Sequence, residues 1–143
     1  MKTVFLFPLI LATATVASAA TLELNKGDHI SYIGNNLADR MQHHGWLETY
    51  IHATHPDHDL TFRNLGFTGD EINRRPRSAN FGSPDQWLTK TKTDVVFCFF
   101  GYNEALRGEA ALAGFKNSLG GMIDGMLRQK YNGKSPPRLV VFS

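Results

Sequence analysis

Asp94-Val95-Val96-Phe97-Cys98-Phe99-Phe100-Gly101-Tyr102-Asn103-Glu104 decides the fold of this chain. From Val95 to Phe100 every side chain is apolar, so neither face of a strand built from it can meet water. Strands buried on both faces belong to parallel sheets covered by helices. The run then closes in Gly101 and a polar residue, Asn103. That ending occurs twice upstream. Asp28 to Ile33 reads as a strand closing in Ile33-Gly34-Asn35-Asn36-Leu37, and Asp59 to Leu65 as an alternating strand closing in Asn64-Leu65-Gly66-Phe67. An open α/β sheet binds its ligand beyond the carboxyl ends of its strands, which is where these three segments fall.

Between the strands the periodicity becomes helical. Leu37, Met41, Trp46, Leu47 and Ile51 predict an amphipathic helix from Leu37 to about His52, with Gly45 as its weak point. Thr68-Gly69-Asp70-Glu71 has the capping-box pattern and predicts a short helix. Ser83-Pro84-Asp85-Gln86 has the same pattern with Pro at the first helical position. Arg74 to Gly82 reads as an irregular basic loop. Leu112, Phe115, Leu119, Met122, Ile123, Met126 and Leu127 predict a long helix from Ala110 to Tyr131, ended by Asn132-Gly133. Arg138 to Phe142 is a fourth strand. Alternating strands and helices of this kind predict a mainly parallel sheet with helices on both faces.

The 143 residues make one domain at most. Met1-Lys2, the apolar Val4 to Val16 and the small residues Ala17-Ser18-Ala19 form a secretory signal peptide, residues 1–19, cleaved before Ala20 or Thr21. The expectation is therefore an exported protein, secreted or periplasmic, with its domain in residues 20–143. The leader's apolar run is short for a membrane span, and no later segment approaches that length. A net charge of +2 with acids and bases interspersed gives no composition-level support for nucleic acid or anionic membrane partners. Cys98 is the only cysteine, which excludes an internal disulfide; it reads as a small buried hydrophobe. The chain stops at Ser143, inside or just after the fourth strand. Domain boundaries normally fall in exposed polar linkers, so the sequence reads as a C-terminally truncated fragment.

Taken in order, Gly34-Asn35-Asn36, Gly66 and Gly101-Tyr102-Asn103-Glu104 resemble the first three sequence blocks of the SGNH (GDSL-type) hydrolases. The resemblance runs from about Asp28 to Ser143. Arg63-Asn64-Leu65-Gly66, Arg75-Pro76-Arg77-Ser78 and Asn80-Phe81-Gly82-Ser83-Pro84 are similar to a secreted bacterial branch of that family, whose members can stand in larger proteins with redox domains. It implies a flavodoxin-like three-layer αβα sandwich with strand order 2-1-3-4 and a fifth strand beyond the fragment. It also implies hydrolysis of ester bonds, including acetyl esters of carbohydrates, without a cofactor. In the family a Ser after the first strand attacks the carbonyl. Its backbone N–H, a Gly N–H after the second strand and an Asn side chain after the third form the oxyanion hole. An Asp-x-x-His near the end supplies the base.

By this correspondence Asn36 stands at the nucleophile position, Gly66 supplies an oxyanion N–H and Asn103 an oxyanion side chain. Asn35, Arg75 and Arg77 are the candidate ligand-binding residues. Each oxyanion donor stabilises the transition state by about 2.7–4 kcal/mol, and backbone donors survive a change of side chain. The nucleophile does not survive it. A carboxamide nitrogen has its lone pair in resonance, so Asn36 cannot replace Ser in covalent acyl transfer. Its alternatives are capping of the first helix and orientation of a ligand. Thr68, Ser78 and Ser83 are the nearby hydroxyls, and caps explain Thr68 and Ser83 more simply than nucleophilic attack.

The six His all precede Leu60, and none has an Asp three residues before it. His52, His55 and His58, with Asp57 and Asp59, flank Pro56 and read as a solvated loop, not a metal site. Arg74, Arg75 and Arg77 either rim the pocket and meet a carboxylate or sulfate, or form a solvated surface. Two functions follow. One is an exported esterase-type domain acting on a small-molecule or carbohydrate ester, with an altered nucleophile position. The other is a non-catalytic ligand-binding or scaffolding domain of a larger exported protein.

Overall fold

A computed structural model describes residues 21–142; the expected signal peptide, residues 1–19, lies outside them. The four strands form where the apolar runs predict them. They are β1 (His29–Gly34), β2 (Thr61–Asn64), β3 (Val95–Phe99) and β4 (Arg138–Val141). All pair in parallel in one sheet of order β2-β1-β3-β4. The register sets Ile30 against Val95 and Gly34 against Phe99, so β1 and β3 end together. The fold is α/β in three layers.

The helices are α1 (Asn36–Met41), α2 (Trp46–Thr54), α3 (Pro84–Lys90), α4 (Tyr102–Ala105) and α5 (Leu112–Leu127). Side chains alternate across each strand, which splits the core in two. On one face Ile30, Tyr32, Phe97 and Phe99 pack with Ala38 and Ile51, supported by Met41 and Leu47. On the other, Ile33, Val96, Cys98 and Phe100 pack with Leu88, Met126 and Tyr131, supported by Phe115 and Met122. Each large side chain buried in this way stabilises the fold by about 1.5–3 kcal/mol. Tyr32 lies in the middle of the first face, stacked on Phe97 at 5.6 Å and edge-on to Phe62 and Phe99. Burial pushes its hydroxyl well above the usual phenol range.

Three expectations about helices need correction. The helix predicted from Leu37 to His52 is two helices, because the chain breaks at His43–Gly45 and restarts with Gly45 as the N-cap of α2. The capping box at Thr68 to Glu71 starts no helix. Gly69 takes φ +94°, Asp70 turns inward onto Arg77, and Glu71 pairs instead with the Arg74 backbone. The Thr68 hydroxyl, assigned there to capping, donates to the Asp39 carboxylate. The long C-terminal helix is shorter than Ala110 to Tyr131: a 3-10 turn, Glu109–Ala111, precedes α5. The second capping box forms in full, with the Ser83 hydroxyl accepting from the Gln86 N–H and the Gln86 side chain accepting from the Ser83 N–H.

Candidate functional site

From the carboxyl end of β1 the chain runs through α1 and α2 to β2 on one side. From the end of β3 it runs through α4 and α5 to β4 on the other. Where adjacent parallel strands send their connections in opposite directions, a crevice opens between them. Gly34 makes this junction tight. Its φ is +134°, and a Cβ there would lie 2.2 Å from the Phe99 carbonyl oxygen. That oxygen accepts the Asn35 N–H at 3.1 Å, and the Gly34 carbonyl accepts the Phe67 N–H at 3.0 Å. The ends of β1, β2 and β3 are thus tied together at one glycine.

Gly66 is also a point of close approach, since a Cβ there would lie 2.4 Å from the Ala38 Cβ. Asn64 braces it. The Asn64 Nδ2 donates to the Ala38 carbonyl, and its Oδ1 accepts the Gly66 N–H at 2.9 Å. On the far side of β1, Asn103 lies on α4 and donates from Nδ2 to the Asp70 carbonyl at 3.2 Å. The neighbouring Glu104 is buried. Its carboxylate accepts the N–H groups of Gly101 and Ile72, each at 3.0 Å, and so joins the β3 turn to the 70–74 loop. Gly66 and Asn103 thus follow the ends of β2 and β3, each with its N–H donated to a partner within the protein.

Asn36 is the first residue of α1, but it does not cap the helix, which corrects the capping alternative. Asn35 holds the N-cap position and makes no side-chain cap bond. Its side chain is folded inward, 1% exposed, with Nδ2 unpartnered. The Asn36 Oδ1 is buried without a partner as well.

Two cavities flank these residues. One, of about 680 Å³, opens above β1 and β3 and is lined by Asn35, Asn36, Phe99, Gly101, Tyr102 and Phe115 among others. The other, of about 220 Å³, lies at the end of β2 and includes Gly66, Phe67, Arg75, Arg77, Phe81 and Trp87. The predicted site residues are thus divided. Asn35 and Asn36 share the first cavity; Gly66, Arg75 and Arg77 share the second; Asn103 lines neither. Both arginines are rim residues and not a solvated surface. Arg77 lays both Nη groups on the fully buried Asp70 carboxylate, at 2.7 and 2.9 Å, between the rings of Phe67 and Phe81. Arg75 donates from Nε to the Glu71 carbonyl and lies over the Phe100 ring. Burial pulls its guanidinium below the ordinary value.

Among solved structures, this chain is similar to BT4096, described as a gut microbial diltiazem-metabolizing enzyme. The match covers 85% of this chain at a TM-score of 0.60 and 16% identity. The two share a fold. This chain spans 28% of the length of that one. No protein-family model matches the chain, and no curated protein does.

The remaining predicted positions lie elsewhere. His52 sits edge-on to Phe62, and the rings of His55 and His58 meet at 4.9 Å, in the stretch that leads into the amino end of β2. Among the described residues no helix is long and apolar enough to cross a membrane. Sequence reasoning missed Asn64, Asp70 and Glu104, the residues that hold the site's loops. Glu104 had a readable signal, three residues after Gly101 at capping-box spacing. Asp70 had a competing one, because it was absorbed into a helix start that does not form. Asn64 carried none beyond a polar side chain at a strand end.

Proposed function

We propose that this chain is part of an exported SGNH (GDSL-type) hydrolase-like domain that holds an ester or acyl group above β1 and β3 without attacking it. The observation that carries this reading is the buried, unpartnered Asn35 Nδ2, a donor for an ester carbonyl in a residue that lines the larger crevice; the buried Asn36 Oδ1 beside it accepts only and pairs with a water or a ligand hydroxyl. A buried polar atom left unpaired costs about 1–3 kcal/mol. A ligand or an ordered water that satisfies it removes that cost. Asn36 occupies the place that the resemblance gives to the nucleophilic Ser, and a carboxamide forms no acyl-enzyme. The similar solved enzyme acts on a small molecule, diltiazem, which supports a small-molecule ligand here. Export rests on the leader-like residues 1–19, and fusion to further domains on the branch the sequence resembles. Hydrolysis is the second reading; it rests on Gly66 and Asn103 lying at the strand ends the resemblance assigns to the oxyanion donors, and it requires their N–H groups to leave Asn64 and the Asp70 carbonyl for the substrate.

The test is p-nitrophenyl acetate with the full chain. Wild type is expected to release no p-nitrophenol above buffer. Asn36→Ser supplies a hydroxyl; with imidazole added as the base that takes its proton, it accepts the acetyl group as p-nitrophenolate leaves, so mass spectrometry should find one added acetyl at that position. Adding Asn103→Ala should slow this acylation by about 10²–10³-fold. No acylation of Asn36→Ser would sink the assignment of position 36. Wild-type turnover that Asn103→Ala lowers would replace the first reading with the second.

A further inference from the structure

The cavity at the end of β2 differs chemically from the crevice above β1 and β3. Ile33, Leu65, Phe67, Phe81, Pro84 and Trp87 give it apolar walls, three of them aromatic. Its polar side chains are nearly all engaged within the protein. Asn64 uses both ends of its carboxamide on Ala38 and Gly66. The Trp87 Nε1–H donates to the Phe81 carbonyl. Arg77 spends its fork on Asp70.

Arg75 is the exception. Only its Nε–H has a protein acceptor, and among the described residues no carboxylate lies within ion-pair distance of it. Asp70 and Asp85 attract it from farther away, but Asp70 is held by Arg77, and Asp85 accepts the Tyr131 hydroxyl. With Nε anchored and the plane resting on Phe100, both Nη nitrogens are left as a pre-set edge. Such an edge fits a carboxylate through paired, charge-assisted hydrogen bonds.

We propose that this cavity binds a single apolar ring carrying a carboxylate, with Arg75 on the carboxylate and Phe67, Phe81 and Trp87 around the ring. Size sets the limit: drug-sized ligands occupy about 300–1,000 Å³, so 220 Å³ takes one ring and a short acidic arm. The engaged polar groups set the ring's character. Hydroxyls of a sugar acid would find no free polar side chain in these walls beyond Arg75, whereas an aromatic ring needs none. The site stands on its own residues, whether or not the larger crevice binds an ester.

The experiment titrates the full chain with phenylacetate, phenylacetamide and glucuronate, each followed by calorimetry and ligand-observed NMR. Phenylacetate should bind at least about ten-fold more tightly than its neutral amide and than glucuronate. Arg75→Gln should abolish the preference for acid over amide, and Arg74→Gln, at an exposed neighbour, should keep it. The comparison of the ligands on wild type needs no variant, so it decides the matter even if Arg75→Gln does not fold. Equal affinity for acid and amide, no binding of either, or glucuronate binding as tightly as phenylacetate would overturn the proposal. So would a folded Arg75→Gln that keeps the preference.

Discussion

Gly34→Ala should destabilise the chain by about 2–6 kcal/mol, measured as the shift in urea midpoint followed by circular dichroism. Two effects add. The φ of +134° is one that a residue with a Cβ rarely adopts, at a cost of about 1–3 kcal/mol. The new methyl also lands 2.2 Å from a carbonyl oxygen of the central strand, and overpacking of this kind costs about 1–3 kcal/mol more. Relief by backbone movement is blocked, because that same oxygen accepts the Asn35 N–H and the Gly34 carbonyl accepts from Phe67. Single domains have about 5–15 kcal/mol in total, so a marginal one would not survive the change. Gly45→Ala is the internal control. Gly45 has an ordinary φ of −71° and open space around it, so its effect should stay within about 0.5 kcal/mol. Similar losses at both positions would refute the argument from crowding.

Arg77→Met carries the second large effect, about 3–5 kcal/mol. Asp70 is fully buried, and both its oxygens lie on Arg77. Removing the guanidinium strands a charge away from water, which is where buried ion pairs have their leverage. The double variant Asp70→Asn with Arg77→Met removes the charge as well and should recover a large part of the loss. A double-mutant cycle with no coupling between the positions would show that the pair does not hold the 70–77 loop.

The fold was legible because burial leaves a mark at the level of residue type. The unbroken apolar run of β3 and its repeats of strand, glycine and polar residue announced a parallel sheet and the carboxyl end where the candidate site residues lie. Helix positions were readable where apolar spacing and caps agreed, as at Ser83. They failed where a local signal met a tertiary one. The capping pattern at Thr68 lost to the ion pair of Asp70 with Arg77, because a turn that buries a carboxylate against a guanidinium cannot also continue as a helix. The site was half legible. Block order located Asn36, Gly66 and Asn103 at the strand ends, but hydrogen-bond partners are set in three dimensions. No spacing rule indicated that Asn64 would brace Gly66, or that Arg75 and Arg77, two residues apart, would differ so sharply in what they hold.

Cys98, in the middle of β3, turns the chain into its own gauge of opening. The thiol is completely buried, and burial, partly countered by Arg75, pushes it from 9.0 up to about 12. Only the thiolate reacts with disulfide reagents, so the folded chain should be inert to them and each modification should count one excursion of the central strand into solvent. With a single cysteine in the sequence, every such event maps to one place. Labelling should be slow in wild type and sharply faster in Gly34→Ala. Rapid labelling of the folded wild type would show that β3 is reached without global opening.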